Sequence, residues 1–258
     1  MAYYYEEYYN GLSIVEYKTV RLKKPAFMIC GLPDAGLVGS IAVSHLINEL
    51  KMEEIGGIES FRYFPPVAIV HKGEPKPVLR LFSNENILTV ISEIPIPTSA
   101  IYPLAIALID YAQKKGIDHI ISPIGVGVPN RLEIEKPRVY WIATSKDGAA
   151  LLEKLNLKKF EEGFLVGPYA VILKECKRKR VSNIVLLVES FLEFPDPAAA
   201  AETLKVLSNI IGVEINVKPL IEKAEEIRLK TRELMDHTRR ALTQMKKALE
   251  YQLPLTYV

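Results

Sequence analysis

The sequence predicts an α/β protein: a three-layer α/β/α sandwich with a mainly parallel sheet, followed by a long C-terminal helix. Short, continuous apolar segments alternate along the chain with longer segments whose apolar residues recur at helical spacing. Residues 183–189 are an example of the first kind, which is typical of parallel strands covered on both faces. In residues 27–50, a short apolar run meets a glycine-rich bend and then an apolar helical pattern. Strand, glycine bend and helix form the usual opening of an α/β domain.

The glycine bend, Gly31 to Gly36, lacks the features that a phosphate-binding loop needs. A P-loop has lysine and then serine or threonine after its second spaced glycine, but here a leucine and a valine follow Gly36. A dinucleotide fingerprint has a second glycine where this sequence has Pro33, and Asp34 would repel a phosphate. We therefore predict a tight strand-to-helix turn made for packing, with nucleotide binding as the alternative.

The remaining elements follow from the same patterns in chain order. Residues 1–10 are a tyrosine-rich N-terminal arm, expected to pack on its own domain or on a neighbouring subunit. Residues 11–217 form the core domain. Strands are predicted at residues 12–20, 27–30, 55–64, 86–93, 119–123, 139–144 and 183–189, with a hairpin made of 67–71 and 78–82. Helices are predicted at residues 37–50, 99–115, 147–155, 168–180 and 197–212, the last with Asp196 as N-cap and Pro197 at its first position.

Residues 218–251 have a heptad pattern that predicts one long helix. Apolar and small residues recur there at alternating steps of four and three, with charges on the other faces. Leu220, Ile227, Leu234 and Met245 belong to this stripe, and we assign them to an oligomer or partner interface. The helix either projects or packs between subunits, or it lies on its own sheet. Pro254 then leaves residues 252–258 as a short C-terminal tail.

Composition excludes several classes of protein. A net charge of +2 with 25% charged residues gives no basic footprint for nucleic acid. The longest apolar run, residues 100–109, contains Pro103 and is too short to span a membrane. Cys30 and Cys176 lie in apolar stretches without a redox or metal motif, which indicates reduced core residues of a cytoplasmic protein.

The sequence contains no recognisable catalytic constellation. There is no G-x-S-x-G elbow, and the four histidines have no metal-binding spacing, so we predict neither a metal nor a cofactor. Glu93 and Glu189 end apolar strands, where the crevice of an open α/β sheet lies. Together with Gly31, Asp34 and Gly36 they could surround a small ligand as acid and base. The alternative is structural, in which these carboxylates cap neighbouring helices.

Three stretches resemble the proteasome assembly chaperone family in its archaeal branch. They are GLPDAGLVGSIAVSHLI (31–47), ISPIGVGVPN with PRVYWIATS (121–145) and SFLEFPDPAAAAETLKVLSNIIGVEINV (190–217). The resemblance covers most of residues 10–230. It implies a three-layer α/β/α domain similar in shape to nucleoside phosphorylases, without an established enzymatic role. It also implies an oligomeric scaffold that acts on proteasome α-subunits.

The resemblance implies a partner-binding role for the C-terminal tail. Proteasome activators and some assembly chaperones end in a hydrophobic residue, a tyrosine and any residue, and this tail enters pockets between α-subunits. The chain ends in Leu255, Thr256, Tyr257 and Val258, so tyrosine has the right place and Thr256 is only half apolar. We therefore predict a non-catalytic, homo-oligomeric chaperone that binds proteasome α-subunits partly through these four residues. The alternatives are an enzyme with its crevice around Gly31–Gly36, or a scaffold unrelated to proteasomes.

Overall fold

The computed structural model describes the backbone of residues 5–250 and the side chains of residues 6–245. The strands are β1 (Tyr5–Tyr9), β2 (Leu12–Glu16), β3 (Phe27–Gly31), β4 (Glu53–Glu59), β5 (Ile69–His71), β6 (Glu74–Lys76), β7 (Leu79–Asn84), β8 (Ile87–Ser92), β9 (His119–Gly127), β10 (Val139–Ala143), β11 (Lys158–Lys159) and β12 (Asn183–Ser190). The helices are α1 (Val38–Glu49), α2 (Thr98–Lys114), α3 (Lys146–Glu153), α4 (Pro168–Lys179), α5 (Pro197–Ile211), α6 (Lys218–Glu222) and α7 (Ala224–Glu250).

Ten of these strands form one sheet in the order β1-β2-β4-β7-β8-β3-β9-β12-β10-β11. The four central strands, β8, β3, β9 and β12, pair in parallel, and antiparallel strands extend the sheet on both sides. Helices α2 and α4 pack on one face, while α1, α3 and α5 pack on the other. Every residue of β12 is buried between these layers. The predicted α/β/α sandwich and its long C-terminal helix are confirmed.

Residues 5–9 join the sheet as its edge strand. Strand β1 pairs antiparallel with β2, and Asn10 and Gly11 form the two-residue turn between them, both with positive φ. Asn-Gly is the preferred sequence for such a hairpin turn. The described part of the predicted N-terminal arm therefore belongs to the same sheet as the core.

The predicted hairpin of residues 67–71 and 78–82 is wrong. Strand β5 pairs instead with β6 across a turn at Lys72 and Gly73, which have φ values of 52° and 79°. Strand β7 joins the main sheet between β4 and β8. The predicted strand at 55–64 also ends early, at Glu59. The Ser60 hydroxyl accepts hydrogen bonds from the backbone amides of Arg62 and Tyr63, at 3.2 and 3.0 Å, and these bonds turn the chain.

The C-terminal region contains two helices where one was predicted. Leu220 lies in the short helix α6, and α7 starts after a break at Lys223, whose φ of −106° is not helical. Helix α7 has 27 residues, which corresponds to about 40 Å at 1.5 Å per residue. Among the described residues, no helix is long and apolar enough to cross a membrane.

Candidate functional site

The glycine bend is a packed turn. After β3 the chain forms a 3-10 turn at Ala35–Leu37, in which Gly36 has a φ of +65°. A Cβ at Gly36 would lie 3.0 Å from the carbonyl oxygen of Phe191, and one at Gly125 would overlap the carbonyl oxygen of Ala35. The bend therefore presses its own backbone against the ends of β9 and β12. In an open α/β sheet this is the position where a ligand usually binds.

Asp34 points inward and braces this turn. Its Oδ2 accepts a hydrogen bond of 2.7 Å from the amide of Gly125, and the residue is only 6% exposed. Burial raises the pKa of the Asp34 carboxyl well above its usual range, against the lowering effect of the Gly125 and Gly39 amides. Close by, the buried Tyr169 hydroxyl accepts from the amide of Leu32 at 2.8 Å. Asp34 is thus part of the core.

A buried ion pair ties the bend to the start of α5. The amide of Asp196 donates to the carbonyl oxygen of Gly36 at 2.8 Å. The Asp196 carboxylate caps α5 by accepting from the amide of Ala199 at 3.0 Å, as predicted. The same carboxylate accepts hydrogen bonds from Nε of Arg131 at 2.7 Å and from its Nη2 at 3.0 Å, and both side chains are buried. The two motifs around Gly36 and Asp196 form one structural unit, and no local sequence pattern marks Arg131 as part of it.

The two predicted crevice carboxylates are engaged by their own neighbours. Glu93 accepts from Nε2 of His71 at 2.8 Å and from the guanidinium of Arg80. Glu189 accepts from the amide of Arg138 at 2.9 Å and lies 3.3 Å from Nε of the same residue. Each carboxylate therefore stabilises a strand end. Glu189 shares a strand end with Ser190, which lies against Gly36, whereas Glu93 belongs to a separate ionic cluster.

Within the described residues, no group of three or more His, Cys, Asp or Glu side chains is placed to hold a metal ion. Cys30 and Cys176 are free and buried. Burial raises the pKa of each thiol to about 12, so both are protonated at neutral pH.

Helix α7 crosses the carboxyl ends of the central strands. It contacts α5, α6 and the 3-10 turn that follows β3. Met235 and Thr238 face the core, each 1% exposed. On the far end of α7, Met245 packs toward the start of α4, with its sulfur 3.7 Å from the Cβ position of Gly167. The helix lies on its own domain along this length.

Beside α7 lies a groove of about 1090 Å³, which we call the α1–α7 groove. Its floor and far wall come from α1, the end of β8 and the loop before β5, and α6 and α7 form the near wall. Three of the four predicted interface residues, Leu220, Ile227 and Leu234, line it, while Met245 does not. Polar side chains are interspersed along it: Ser40, Ser44, His45, Asn48, His71, Arg80, Glu93, Lys230, Thr231, Glu233 and His237.

A second apolar surface lies on the other side of α7, and we call it the edge patch. Leu132, Leu192 and Phe194 are exposed by 89%, 40% and 63%, and they surround a shallow depression of about 460 Å³ with Phe191. Contiguous exposed apolar surface of this kind marks interaction sites in soluble proteins. No local sequence pattern marks the edge patch, because its members come from two loops 60 residues apart.

The predicted tail residues Leu255, Thr256, Tyr257 and Val258 lie outside the described residues. Their assignment to partner binding stays a prediction.

The fold and the closed bend define a class of protein: an α/β/α domain in which the bend after β3 is packed against the carboxyl ends of β9 and β12, and helix α7 contacts the 3-10 turn of that bend. The chain belongs to the PAC2 family, whose sequence model matches residues 28–235. An uncharacterised protein of Methanocaldococcus jannaschii is 27% identical over 240 residues, which is 92% of this chain and 97% of that protein.

Two solved structures from Pyrococcus furiosus carry functional names. PbaA, described as an archaeal homologue of proteasome-assembly chaperone, has a TM-score of 0.81 and 30% identity, covering 89% of this chain and 99% of that chain. PbaB, described as an archaeal proteasome activator, has a TM-score of 0.71 and 27% identity, covering 87% of this chain and 98% of that chain. The resemblance to the archaeal chaperones is confirmed. Both names describe proteasome factors, an assembly-chaperone homologue and an activator, which agrees with the prediction of a non-enzymatic protein.

Proposed function

We propose that this protein is a non-catalytic proteasome assembly chaperone or activator of the cytoplasm. It forms homo-oligomers and binds proteasome α-subunits, in part through its C-terminal tail. The observation that carries the proposal is the similarity to PbaA and PbaB over nearly their whole lengths, at 30% and 27% identity. The packed glycine bend also supports it, since backbone atoms of the bend occupy the space at the carboxyl ends of β9 and β12, where a ligand could otherwise bind.

The tail supplies a chemistry that suits α-subunit pockets. Tyr257 offers an aromatic ring to fill a cleft, and the Val258 carboxylate offers a charge to a lysine. Leu255 adds apolar contact where Thr256 is only half apolar. Several tails per oligomer would bind together and gain affinity through effective concentration.

Binding of purified α-subunits tests the tail. Tyr257→Ala should weaken binding at least about thirtyfold, because losing a buried aromatic anchor costs about 2 kcal/mol or more. Deleting residues 256–258, or adding a C-terminal amide that removes the charge, should also weaken it. Tyr8→Ala is the matched control, since Tyr8 is an exposed tyrosine of the edge strand. Full binding by all three tail variants would move the interface to the core domain.

The edge patch supports the homo-oligomer. Leu132, Leu192 and Phe194 expose apolar surface that a subunit interface would remove from water. Light scattering at micromolar concentration should therefore give a mass that is a multiple of 29.0 kDa. Leu132→Asp should lower that mass, because a carboxylate would have to be buried in the interface. A wild-type protein that is only monomeric would contradict the proposal.

A further inference from the structure

The α1–α7 groove lies at the topological switch point of the sheet. Strands β3 and β8 are parallel neighbours, but the helices that follow them, α1 and α2, pack on opposite faces. The chain thus leaves the two carboxyl ends in opposite directions, and the crevice between them is where open α/β sheets bind ligands. Residues of α1 between 40 and 48 and residues 91–95 at the end of β8 line the groove. No residue of the bend Gly31–Gly36 lines it, so the packed turn leaves this place open.

The groove has the size and the walls of a small-molecule site. Its volume of about 1090 Å³ is near the upper end of the range of about 300–1,000 Å³ that ligand pockets usually have. Apolar side chains line it from both sides, with Ile41 on α1 and Ile227 and Leu234 on α7. A largely apolar cleft with a few polar groups is the usual composition of such sites.

Two polar groups of the lining residues have no hydrogen-bond partner within the described part of the chain. They are the Ser40 hydroxyl and Nε of Arg80, and both atoms are buried. Buried polar groups are normally paired, so each exception requires an explanation. Ser40 is only 6% exposed, and rotation about its Cα–Cβ bond turns the hydroxyl between staggered positions. Both groups can donate a hydrogen bond, so they suit an occupant that presents acceptors.

The formal charges of the residues that line the groove cancel. Arg80 and Lys230 are cations, and Glu93 and Glu233 are carboxylates. Arg80 donates to Glu93, which also accepts from Nε2 of His71 at 2.8 Å. An anion beside Arg80 would therefore meet the Glu93 carboxylate, and a cation beside Glu93 would meet the guanidinium. Because like charges placed together oppose binding, this pair favours an uncharged occupant.

We propose that the α1–α7 groove binds an uncharged, largely apolar small molecule that carries amide groups. Amide carbonyl oxygens accept hydrogen bonds from Ser40 and Arg80, and an amide N–H donates to Glu93. The apolar body lies between Ile41 and Leu234. This binding uses neither the C-terminal tail nor α-subunits, so it stands or falls separately from the proposed function.

Two matched probes test the site on the full-length protein. The first is N-acetyl-leucyl-leucine amide, and the second is the same compound with a free carboxylate in place of the terminal amide. With about 20 non-hydrogen atoms at a typical ligand efficiency, the amide should bind with a Kd of about 0.1 mM or below. The carboxylate should bind at least about tenfold more weakly, because it adds a negative charge near Glu93.

Methyl signals in NMR spectra locate the bound probe. Those of Ile41, Ile227 and Leu234 should shift, since these residues line the groove. Leu229 on the same helix is 72% exposed and does not line the groove, so its signals should stay unchanged. Shifts at Leu132 of the edge patch instead would place the probe on the wrong surface and overturn the proposal.

Ser40→Ala separates a ligand contact from a structural role. Because the hydroxyl has no partner within the described residues, its loss should leave the stability of the free protein unchanged or slightly raised. The same change should weaken the amide probe about two- to tenfold, as the loss of one hydrogen bond does. Arg80→Lys, which keeps a cation beside Glu93 and removes the Nε donor, should weaken it similarly. Ser99→Ala is the matched control, since Ser99 is an exposed serine of α2 that does not line the groove.

Three results would overturn the proposal. The first is no saturable binding of the amide probe at about 1 mM. The second is equal affinity for the amide and the carboxylate, which would exclude selection for an uncharged ligand. The third is a destabilised Ser40→Ala protein that binds the amide probe as the wild type does, because the hydroxyl would then serve the fold.

Discussion

Replacing Gly36 by alanine should destabilise the fold by about 2–5 kcal/mol, because two costs add. The backbone at Gly36 has a φ of +65°, a left-handed conformation that costs an L-residue about 1–2 kcal/mol. The new methyl group would also lie 3.0 Å from the carbonyl oxygen of Phe191 and 3.0 Å from Cβ of Ser190. Crowding of a packed site costs typically about 1–3 kcal/mol. Neither neighbour is a flexible side-chain end that could move away cheaply.

Gly212→Ala separates the two costs. Gly212 ends α5 with a φ of +69°, and a Cβ there would have nothing within 4 Å. It should therefore lose only the conformational part, about 1–2 kcal/mol. Guanidinium chloride unfolding measures both variants through the single tryptophan, Trp141, which is 5% exposed and should report loss of the core.

The difference between the two variants is the decisive quantity. Equal shifts of the unfolding midpoint, at unchanged denaturant dependence, would mean that the methyl group at Gly36 finds room. The bend would then be loosely packed, and the argument that backbone fills the crevice would fail. Tight, specific binding of ATP or NAD measured by calorimetry would refute it independently.

Two further predictions concern buried charge near the bend. Arg131→Met should lower the free energy of unfolding by about 3–5 kcal/mol, because it leaves the buried Asp196 carboxylate without its cation. Arg138→Met should lower it by under about 1 kcal/mol, since the Arg138 side chain is 65% exposed. Similar losses in the two variants, measured by denaturant unfolding, would contradict the reasoning. The raised pKa of Asp34 implies stability that is present below the unfolded-state pKa and is lost as the pH rises toward the folded-state pKa. Asp34→Asn does not titrate, so its stability relative to the wild type should grow by up to about 1.4 kcal/mol per pH unit above about pH 4, and a flat difference would exclude this ionisation.

The parts of the fold that were predictable carry their signals within one segment. Strands β3, β9 and β12 are continuous apolar runs, and α5 has its cap, first-turn proline and terminal glycine within 17 residues. The β1–β2 hairpin also has a local signal, the Asn10-Gly11 pair at its turn. Strand pairing was harder, because short strands such as β5 and β7 are both preceded by turn residues and the pattern does not say which partner each one takes.

The candidate sites depend on contacts that no local pattern encodes. Arg131 and Asp196 are 65 residues apart in sequence, and Glu189 meets Arg138 over 51 residues. The heptad stripe did identify residues of one helix face, yet the break at Lys223 and the core contacts of Met235 decide that this face borders a groove. The charge and hydrophobicity of these residues predict what kind of side chain each one contacts, but not which residue it is.

The closed bend has a consequence for how such a protein can change. Side chains can be exchanged one codon at a time, but the space beside Gly125 is occupied by the carbonyl oxygen of Ala35, which every amino acid carries. No single substitution removes that oxygen, and a larger residue at Gly125 only collides with the same atom. A small-molecule site at this position would need an insertion or deletion that reroutes the chain after β3. The route left open to point mutation is the outer surface, where new partners can be acquired while the interior stays as it is.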